Sequence, residues 1–326
     1  MNAAWNNVRP YLPEPVGGIL AEAQALNELD EIRIRLEKPL MVGCGGRDFF
    51  VGGNGKLLRE ETGAYRVGAE AFRRVADALM RHSPYALEDE LRAGYVALPG
   101  GVRIGLAGRL LMENGAARTM TDISGLNIRL PRQVMGCGRE ILPSLLRGGR
   151  LLHTLIVSPP LAGKTTLLRD LVRLASRGEG CAALRVTVVD ERSELAGCYA
   201  GRPQFDLGPR TDVLDSCPKS RGMMMALRSL APQAVATDEI GGAEDAQAIR
   251  EVARAGATVL TTAHADGYDA LLHRADLRSI LDDCLFERYV VLGMRPGPGA
   301  VLSVRDGQGR LLMGVSACRA RESTAR

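Results

Sequence analysis

The sequence of 326 residues is 46% hydrophobic and 25% charged, a balance typical of globular domains, and it contains no run of the ~18 to 20 apolar residues that a membrane span requires. Its 42 basic and 38 acidic residues are interspersed and aromatic residues make up only 4%, which argues against a nucleic-acid-binding protein. The seven cysteines include no C-x-x-C pair, so neither a disulfide framework nor a zinc site is expected.

The length predicts two domains, and the first is expected to be an α+β domain over residues 1–135. Its opening stretch, MNAAWNNVRPYLPEP, has no apolar segment typical of a secretory signal, so we expect a cytoplasmic protein. Ile32, Ile34 and Leu36 alternate with charged residues, which predicts a half-buried strand. The elements predicted here are that strand, a hairpin with glycine turns, an amphipathic helix and further short strands, at 29–42, 43–55, 69–83 and 94–115.

The second predicted domain, over residues 145–326, has a different pattern. Apolar strands alternate with helices, which is typical of a parallel sheet covered on both faces. The predicted strands are LLHTLIV, LRVTVV, AVAT and ATVLTT, the predicted helices are TTLLRDLVRLAS, GMMMALRSLA and AEDAQAIREVARA, and a final hairpin turns at Asp306 and Gly307. The connection between the domains is predicted at 121–133 and in the glycine-containing run up to Gly149.

The strongest motif is a phosphate-binding loop between a predicted strand and a predicted helix. Such a loop needs backbone N–H groups at a helix start, a lysine for the β and γ phosphates of ATP, and a hydroxyl for Mg²⁺. Gly163, Lys164 and Thr165 supply that core, although Ser158 stands where the G-x-x-x-x-G-K-[ST] pattern has its first glycine. The residues predicted to bind ATP are Ser158, Pro159, Pro160, Leu161, Ala162, Gly163, Lys164, Thr165 and Thr166.

Acidic and polar residues follow three further predicted strands. They are Asp190, Glu191 and Glu194 in VTVVDERSEL, Asp238 and Glu239 in AVATDEI, and His264 in VLTTAHADG. Singly, an acidic pair is more often a helix cap, and a lone histidine is more often a structural residue. Because α/β sheets bind ligands at the carboxyl ends of their strands, the four motifs in this order predict one site on one sheet edge.

These motifs carry a resemblance to a known group of proteins. VVDERSEL, ALRSLAPQAVATDEIGGAEDAQAI and TTAHADG resemble the Asp box, Walker B region and His box of the hexameric type II and type IV secretion ATPases. SPPLAGKTTLLRDLVR and VVDERSELAGCYAGRPQFDLGPRTDVLDSCPK resemble, more narrowly, the stage III sporulation protein AA family of endospore-forming bacteria. The resemblance extends from about residue 29 to 292, and members of that family have Ser-Pro-Pro at the front of the loop.

The resemblance implies a RecA-like P-loop NTPase core, α/β in class, with an N-terminal α+β domain that closes over the nucleotide. It implies an ATPase that acts as a cytoplasmic motor for the mother-cell to forespore channel during sporulation. The expected assembly is a homo-oligomer, a hexamer, peripherally associated with the membrane through membrane-embedded channel subunits, with no nucleic-acid partner. Two positions depart from the wider secretion family, which has Gly-Glu in place of Asp238-Glu239 and an arginine in place of Gly241.

We hypothesise that Lys164 neutralises the phosphates and that Thr165 and Asp238 hold Mg²⁺. Glu239 is favoured as the residue that polarises the attacking water, with Glu194 assisting, and His264 is a candidate sensor of the γ-phosphate. Candidates for an arginine finger are Arg103, Arg109, Arg129, Arg132, Arg210 and Arg228. A nucleic-acid-associated RecA-like ATPase, a small-molecule kinase and a nucleotide-binding scaffold with little hydrolysis remain alternatives.

Overall fold

The chain divides into two compact units, Met1–Arg132 and Gln133–Arg326. The computed structural model describes residues 3–23, 29–80, 94–113, 116–295 and 297–314. Within that part of the chain no helix is both long enough and apolar enough to cross a membrane. In the described residues the first unit has one buried apolar cluster and the second unit has two.

The first unit is built around an antiparallel sheet. Its strands in the described residues are β1 (Leu29–Arg35), β2 (Met41–Cys44), β3 (Arg47–Val51), β4 (Leu57–Leu58), β5 (Tyr95–Leu98), β6 (Val102–Glu113) and β7 (Ala116–Arg129), in the order β4-β3-β2-β1-β7-β6-β5. Ile32 and Ile34 are fully buried and Arg33 between them is exposed, so the predicted strand is confirmed. Leu36 lies just beyond the strand and packs half-buried against the core.

Glycines form the turns that join β2, β3 and β4. Gly45 and Gly46 have φ angles of 56° and 76° between β2 and β3. Gly55, with φ 78°, donates its N–H to the carbonyl of Gly52 at 2.9 Å in the next turn. Glycine adopts this left-handed backbone without a Cβ clash, and the predicted hairpin is confirmed.

Three helices accompany this sheet in the described residues: α1 (Ala3–Val8), α2 (Val16–Ala21) and α3 (Ala69–Met80). Phe72, Val75 and Leu79 of α3 are buried, as their helical spacing predicts. The predicted helix continues to Ser83, and residues 81–83 lie outside the described residues. The patterns do not predict α1 and α2, although each buries apolar side chains in the same core.

The division between the two units falls between Arg132 and Gln133, inside the predicted connection, and ordered segments lie on both sides of it. Residues 121–129 form the second half of β7, which pairs with β1 on one side and β6 on the other. In the later part, Ile141, Leu142 and Leu145 are buried in a core of the second unit. The apolar residues on each side of the division pack into the core of their own unit, so the connection is shorter than the predicted range.

The second unit is built on a mostly parallel sheet. Its strands in the described residues are β10 (Thr154–Ser158), β11 (Val186–Asp190), β12 (Thr211–Asp215), β13 (Ala234–Thr237), β14 (Thr258–His264), β15 (Arg288–Gly293), β16 (Ala300–Asp306) and β17 (Leu311–Gly314), after the short pair β8 (Leu146–Arg147) and β9 (Arg150–Leu151). The sheet order is β12-β11-β13-β14-β10-β15-β16-β17. The pairs from β12 to β15 are parallel, whereas β16 and β17 add an antiparallel hairpin that confirms the predicted one.

Helices cover both faces of this sheet. In the described residues they are α4 (Lys164–Arg177), α5 (Lys219–Ser229), α6 (Ala243–Arg254), α7 (Tyr268–Leu272) and α8 (Arg278–Asp282). Ile156 of β10 shares one buried cluster with Leu168 of α4, whereas Leu155 and Val157 share the other with Ile249 of α6. Successive side chains of a strand point to opposite faces, so this division confirms the predicted covering on both sides.

The carboxyl ends of β10, β11, β13 and β14 lie at one edge of the sheet. Their parallel register places Ser158 beside His264 and Val189 beside Thr237. The segments that follow these strands therefore converge at this edge, as the sequence predicts. The patterns do not predict β12 and β15, the strands at the two ends of the parallel part.

Candidate active site

The phosphate-loop motif occupies the turn between β10, which ends at Ser158, and α4, which begins at Lys164. A strand, a tight loop and a helix N-terminus in this order direct backbone N–H groups at a phosphate. Ser158, Ala162 and Lys164 are buried, Pro159, Gly163, Thr165 and Thr166 are half-buried, and Pro160 and Leu161 are exposed. The motif thus stands in the setting that phosphate binding requires.

Two features of the loop require glycine at position 163. It is the N-cap residue of α4, with a left-handed φ of 91°. A Cβ at this position would lie 3.0 Å from the backbone nitrogen of Gly299, which itself donates to the carbonyl of Ala162 at 2.9 Å. A side chain at residue 163 would therefore both strain the backbone and push the 298–299 segment away.

Leu161 also has a left-handed backbone, although it is not a glycine. Its φ is 62°, and it is 87% exposed at the tip of the loop. A non-glycine residue in this conformation carries about 1–2 kcal/mol of backbone strain. Because the Leu161 side chain is mostly exposed, its burial does not offset this backbone strain.

We expect Gly163→Ala to lower the free energy of unfolding by about 1–3 kcal/mol, because the alanine is strained and close to Gly299. Leu161→Gly in the same loop is the matched control, since relief of strain offsets the greater freedom of the unfolded chain. Its free energy of unfolding should stay within about 1 kcal/mol of the unchanged protein. Urea unfolding of both variants measures the difference, and equal stabilities would contradict this account.

The side chain of Lys164 is folded back into the loop, and the residue is 6% exposed. Its Nζ donates to the Ser158 carbonyl at 3.3 Å, the Ser158 Oγ at 3.4 Å, the Pro159 carbonyl at 3.3 Å and the His264 Nδ1 at 2.8 Å. Burial lowers the pKa of Lys164, while the charges of Asp238 and Glu239 act in the opposite direction. Phosphate oxygens carry full charge, so they would be stronger partners for this ammonium than the neutral carbonyls.

Ser158 is compatible with a phosphate loop even though it replaces the first glycine of the motif. It is fully buried, and its hydroxyl donates to the Pro159 carbonyl at 2.7 Å while it accepts from Lys164. Its own carbonyl also accepts the N–H of Ala265 at 3.2 Å. The serine is therefore fully satisfied inside the loop and helps to hold the lysine.

Thr165 and Asp238 form the part of the site suited to a divalent cation. The Thr165 hydroxyl donates to Asp238 Oδ2 at 3.2 Å. The other carboxylate oxygen accepts from the Thr262 hydroxyl and from the N–H of Glu239, each at 2.9 Å. Among the described residues no group of three or more His, Cys, Asp or Glu side chains could hold a metal. Mg²⁺ does not need such a group of side chains when phosphate oxygens complete its coordination shell. A hydroxyl beside a carboxylate supplies oxygen ligands that suit this ion.

His264 links the phosphate-loop lysine to Glu239. Its Nδ1 lies 2.8 Å from Lys164 Nζ, and its Nε2 lies 3.2 Å from Glu239 Oε2. Because the ammonium can only donate, Nδ1 must accept, and the ring proton belongs to Nε2, the nitrogen nearer to Glu239. The three side chains therefore form one continuous chain of polar contacts, of which the one between Lys164 and His264 is a hydrogen bond.

Glu194 lies in the loop after β11 and lines a cleft together with Asp238 and Glu239; the other lining residues are Glu191, Arg192 and Lys219. Asp190 is fully buried below this loop and accepts the N–H groups of Glu194 and Ala196, each at 2.7 Å. Burial raises the pKa of Asp190, and these backbone hydrogen bonds act in the opposite direction. Asp190 thus shapes the loop, whereas Glu194 is exposed at its surface.

Two arginines that sequence reasoning missed lie beside Glu239 and His264. Arg192 Nη1 is 3.9 Å from Glu239 Oε2, and Arg274 Nη1 donates to the His264 carbonyl at 2.5 Å. A hydrogen bond to Asp276 raises the pKa of Arg274, and the charge of Glu239 adds to that effect. The only sequence signal for Arg192 is its position between the acidic residues of the Asp-box segment.

The predicted arginine-finger candidates are divided between the two units. Arg210 donates to the carbonyl of Ser176 at 3.0 Å, near the C-terminal end of α4, and Arg228 lies in the last turn of α5. Arg103, Arg109, Arg129 and Arg132 belong to the first unit. Their role as fingers stays a prediction, and the second unit supplies Arg192 and Arg274 at the site itself.

The amino-acid sequence matches one protein family over most of its length. The family described as Sporulation stage III, protein AA matches residues 11–312. Stage III sporulation protein AA of Bacillus subtilis (strain 168) is 39% identical over 319 residues, which cover 96% of this chain and 100% of that protein.

Two solved structures have a similar fold. The pilus retraction motor PilT with bound ADP has a TM-score of 0.56 at 16% identity, over 91% of this chain and 82% of that chain. The ATPase DotB of Legionella pneumophila has a TM-score of 0.55 at 16% identity, over 84% of this chain and 74% of that chain. This likeness confirms the predicted α/β fold with a RecA-like P-loop core.

Proposed function

The chain belongs to the sporulation stage III, protein AA family, and on that premise we propose that it is an ATP-hydrolysing motor similar to the secretion ATPases. The observation that carries the proposal is the chain of polar contacts from Lys164 through His264 to Glu239, beside Thr165 and Asp238. P-loop enzymes use such residues for ATP hydrolysis: a lysine, a hydroxyl and a carboxylate that hold Mg²⁺, and a further carboxylate next to the γ-phosphate position. PilT and DotB, which share the fold, are a retraction motor and an ATPase by their descriptions.

The binding roles follow from the geometry of the loop. Lys164 exchanges the carbonyls of Ser158 and Pro159 for the β- and γ-phosphates, and Gly163 lets the backbone approach them. Thr165 and Asp238 hold Mg²⁺, which supplies charge neutralisation on the phosphate oxygens when it is bound. Thr262 keeps the Asp238 carboxylate oriented through its hydroxyl.

The hydrolytic roles fall to Glu239, Glu194 and His264. Glu239 accepts a proton from the attacking water, and Glu194, which lines the same cleft, assists. When Lys164 moves to the phosphates, Nδ1 of His264 loses its donor, so the ring is free to change its contact with Glu239. His264 thereby senses whether the phosphate position is filled.

The proposed setting extends that of the family. We place the protein in the cytoplasm as a homo-oligomer, a hexamer, that associates peripherally with the membrane through membrane-embedded subunits of the mother-cell to forespore channel. The domain of residues 1–135 acts as the part that closes over the nucleotide. The evenly mixed charge of the chain favours these protein partners over nucleic acid.

The test is ATP hydrolysis by the purified full-length chain, measured with its oligomeric mass. We expect turnover with Mg²⁺ and loss of turnover with EDTA, because Thr165 and Asp238 hold the cation only together with the phosphates. Calcium in place of magnesium is the matched control, since a larger ion with a flexible shell should support less turnover.

Two outcomes would redirect the proposal. ATP binding without turnover in the oligomer would favour the nucleotide-binding scaffold. Turnover that requires added single-stranded DNA or RNA would favour the nucleic-acid-associated ATPase. Absence of ATP binding in a folded protein would remove the proposal altogether.

A further inference from the structure

Arg169 is a buried cation close to the candidate site. It lies on α4, five residues after Lys164, and is 6% exposed. Its guanidinium carbon stands 4.0 Å from the centre of the Phe205 ring, in stacking range. An arginine so deeply buried is costly unless its hydrogen bonds are met with good geometry.

Arg169 donates two hydrogen bonds to the loop that carries Glu194. Nη2 donates to the carbonyl of Glu194 at 2.7 Å, and Nε donates to the carbonyl of Leu195 at 2.8 Å. From the other side, Asp190 accepts the N–H of Glu194 at 2.7 Å. Both backbone polar groups of Glu194 are thus held by buried charges, while its side chain reaches the cleft shared with Asp238 and Glu239.

The same helix carries the phosphate-binding and the loop-holding residues. Lys164 and Arg169 are about 7.5 Å apart along the axis of α4, and a helix of this length is stiff over that distance. The planar guanidinium, with a forked set of donors, can hold two successive carbonyls and stack on a ring at once, which an ammonium cannot do. A shift of α4 when its first turn binds phosphate would therefore move the backbone of Glu194.

We propose that Arg169 is a positioning residue that couples the phosphate-loop helix to Glu194. This inference rests on the proposed ATPase function and adds to it a mechanical link between nucleotide binding and the second carboxylate of the cleft. Arg169 itself touches neither phosphate nor water in this scheme and acts through the loop.

The test is Arg169→Lys made in the unchanged protein and in a Glu194→Gln background. A misplacement of about 1 Å can lower a rate by about 100-fold, so we expect kcat to fall about 10- to 100-fold while the Kd for ATP changes less than about threefold. In the Glu194→Gln background the same change should lower kcat by less than about twofold, because residues that act as one unit are not additive.

Arg173→Lys is the matched control on the same helix. Arg173 is equally buried, but it pairs with Asp170 and Glu179, away from the Glu194 loop. Hydrogen exchange of residues 191–196 supplies a readout that needs no turnover: it should rise severalfold in Arg169→Lys and stay unchanged in Arg173→Lys. If Arg169→Lys does not fold, Phe205→Leu removes the stacking ring and should give the same pattern in weaker form.

The results separate the two proposals. Unchanged exchange in residues 191–196, or equal kcat losses with and without Glu194, overturns the role of Arg169. An unchanged protein that binds ATP without turnover overturns the ATPase function instead, while the exchange measurement still decides the positioning role.

Discussion

Replacing Lys164 by alanine is expected to abolish ATP hydrolysis and to raise the Kd for ATP at least about 100-fold. The reason is the loss of the only ammonium that the loop directs at the phosphate position, and with it two charge-assisted hydrogen bonds of about 1.5–3 kcal/mol each. Isothermal titration with ATP and Mg²⁺ measures the Kd, and phosphate release measures the turnover.

The control for this change is Lys56→Ala. Lys56 is exposed in the first unit, so its removal takes away the same charge without touching the loop. A Lys164→Ala protein that is folded and binds ATP with a Kd close to that of Lys56→Ala would contradict the assignment of the phosphate loop. Unfolding in urea establishes that both variants are folded.

Glu239→Gln is expected to retain ATP binding and to lower kcat by about 10²- to 10⁴-fold, the usual range for removal of a general base. The amide keeps the size of the side chain and an oxygen that can face His264 Nε2. The residue lies outside the phosphate loop, so the Kd for ATP should change little. Single-turnover hydrolysis with bound nucleotide measured in parallel separates chemistry from binding.

Glu140→Gln is the matched control, since this exposed glutamate of the second unit lies in the segment before β8 and does not line the cleft. Its kcat should equal that of the unchanged protein. If Glu239→Gln keeps more than about half of the activity, the base is another group. Glu194→Gln, which changes the other carboxylate of the cleft, then becomes the decisive variant.

Much of the fold could be predicted because local patterns report it directly. The alternation of Ile32 and Ile34, the spacing of Phe72, Val75 and Leu79, and the apolar strands of the second unit identify which faces are buried. The resemblance to the sporulation family, read from the loop and the Asp-box segment, is confirmed by the family match over residues 11–312.

What the patterns missed depends on contacts between elements that are far apart in the sequence. The predicted connection at 121–149 contains the division between the units, but the patterns did not show that β7 and residues 141–145 pack on either side of it. The arginines of the site were missed because a guanidinium on a long side chain reaches groups far away in sequence. Arg274 contacts residue 264 and Arg169 contacts residues 194 and 195 only through the packing of whole elements.

The sequence by itself determined the composition of the site: the loop from Ser158 to Thr166, the acidic strand ends, His264, and the α/β alternation that brings them to one sheet edge. These follow from residue type, spacing and strand periodicity, which are local properties. Only the tertiary structure decided which groups pair. The chain from Lys164 through His264 to Glu239, the hold of Arg169 and Asp190 on residue 194, and the buried hydroxyl of Ser158 depend on angstrom-scale distances between strands that are neighbours in space and far apart along the chain.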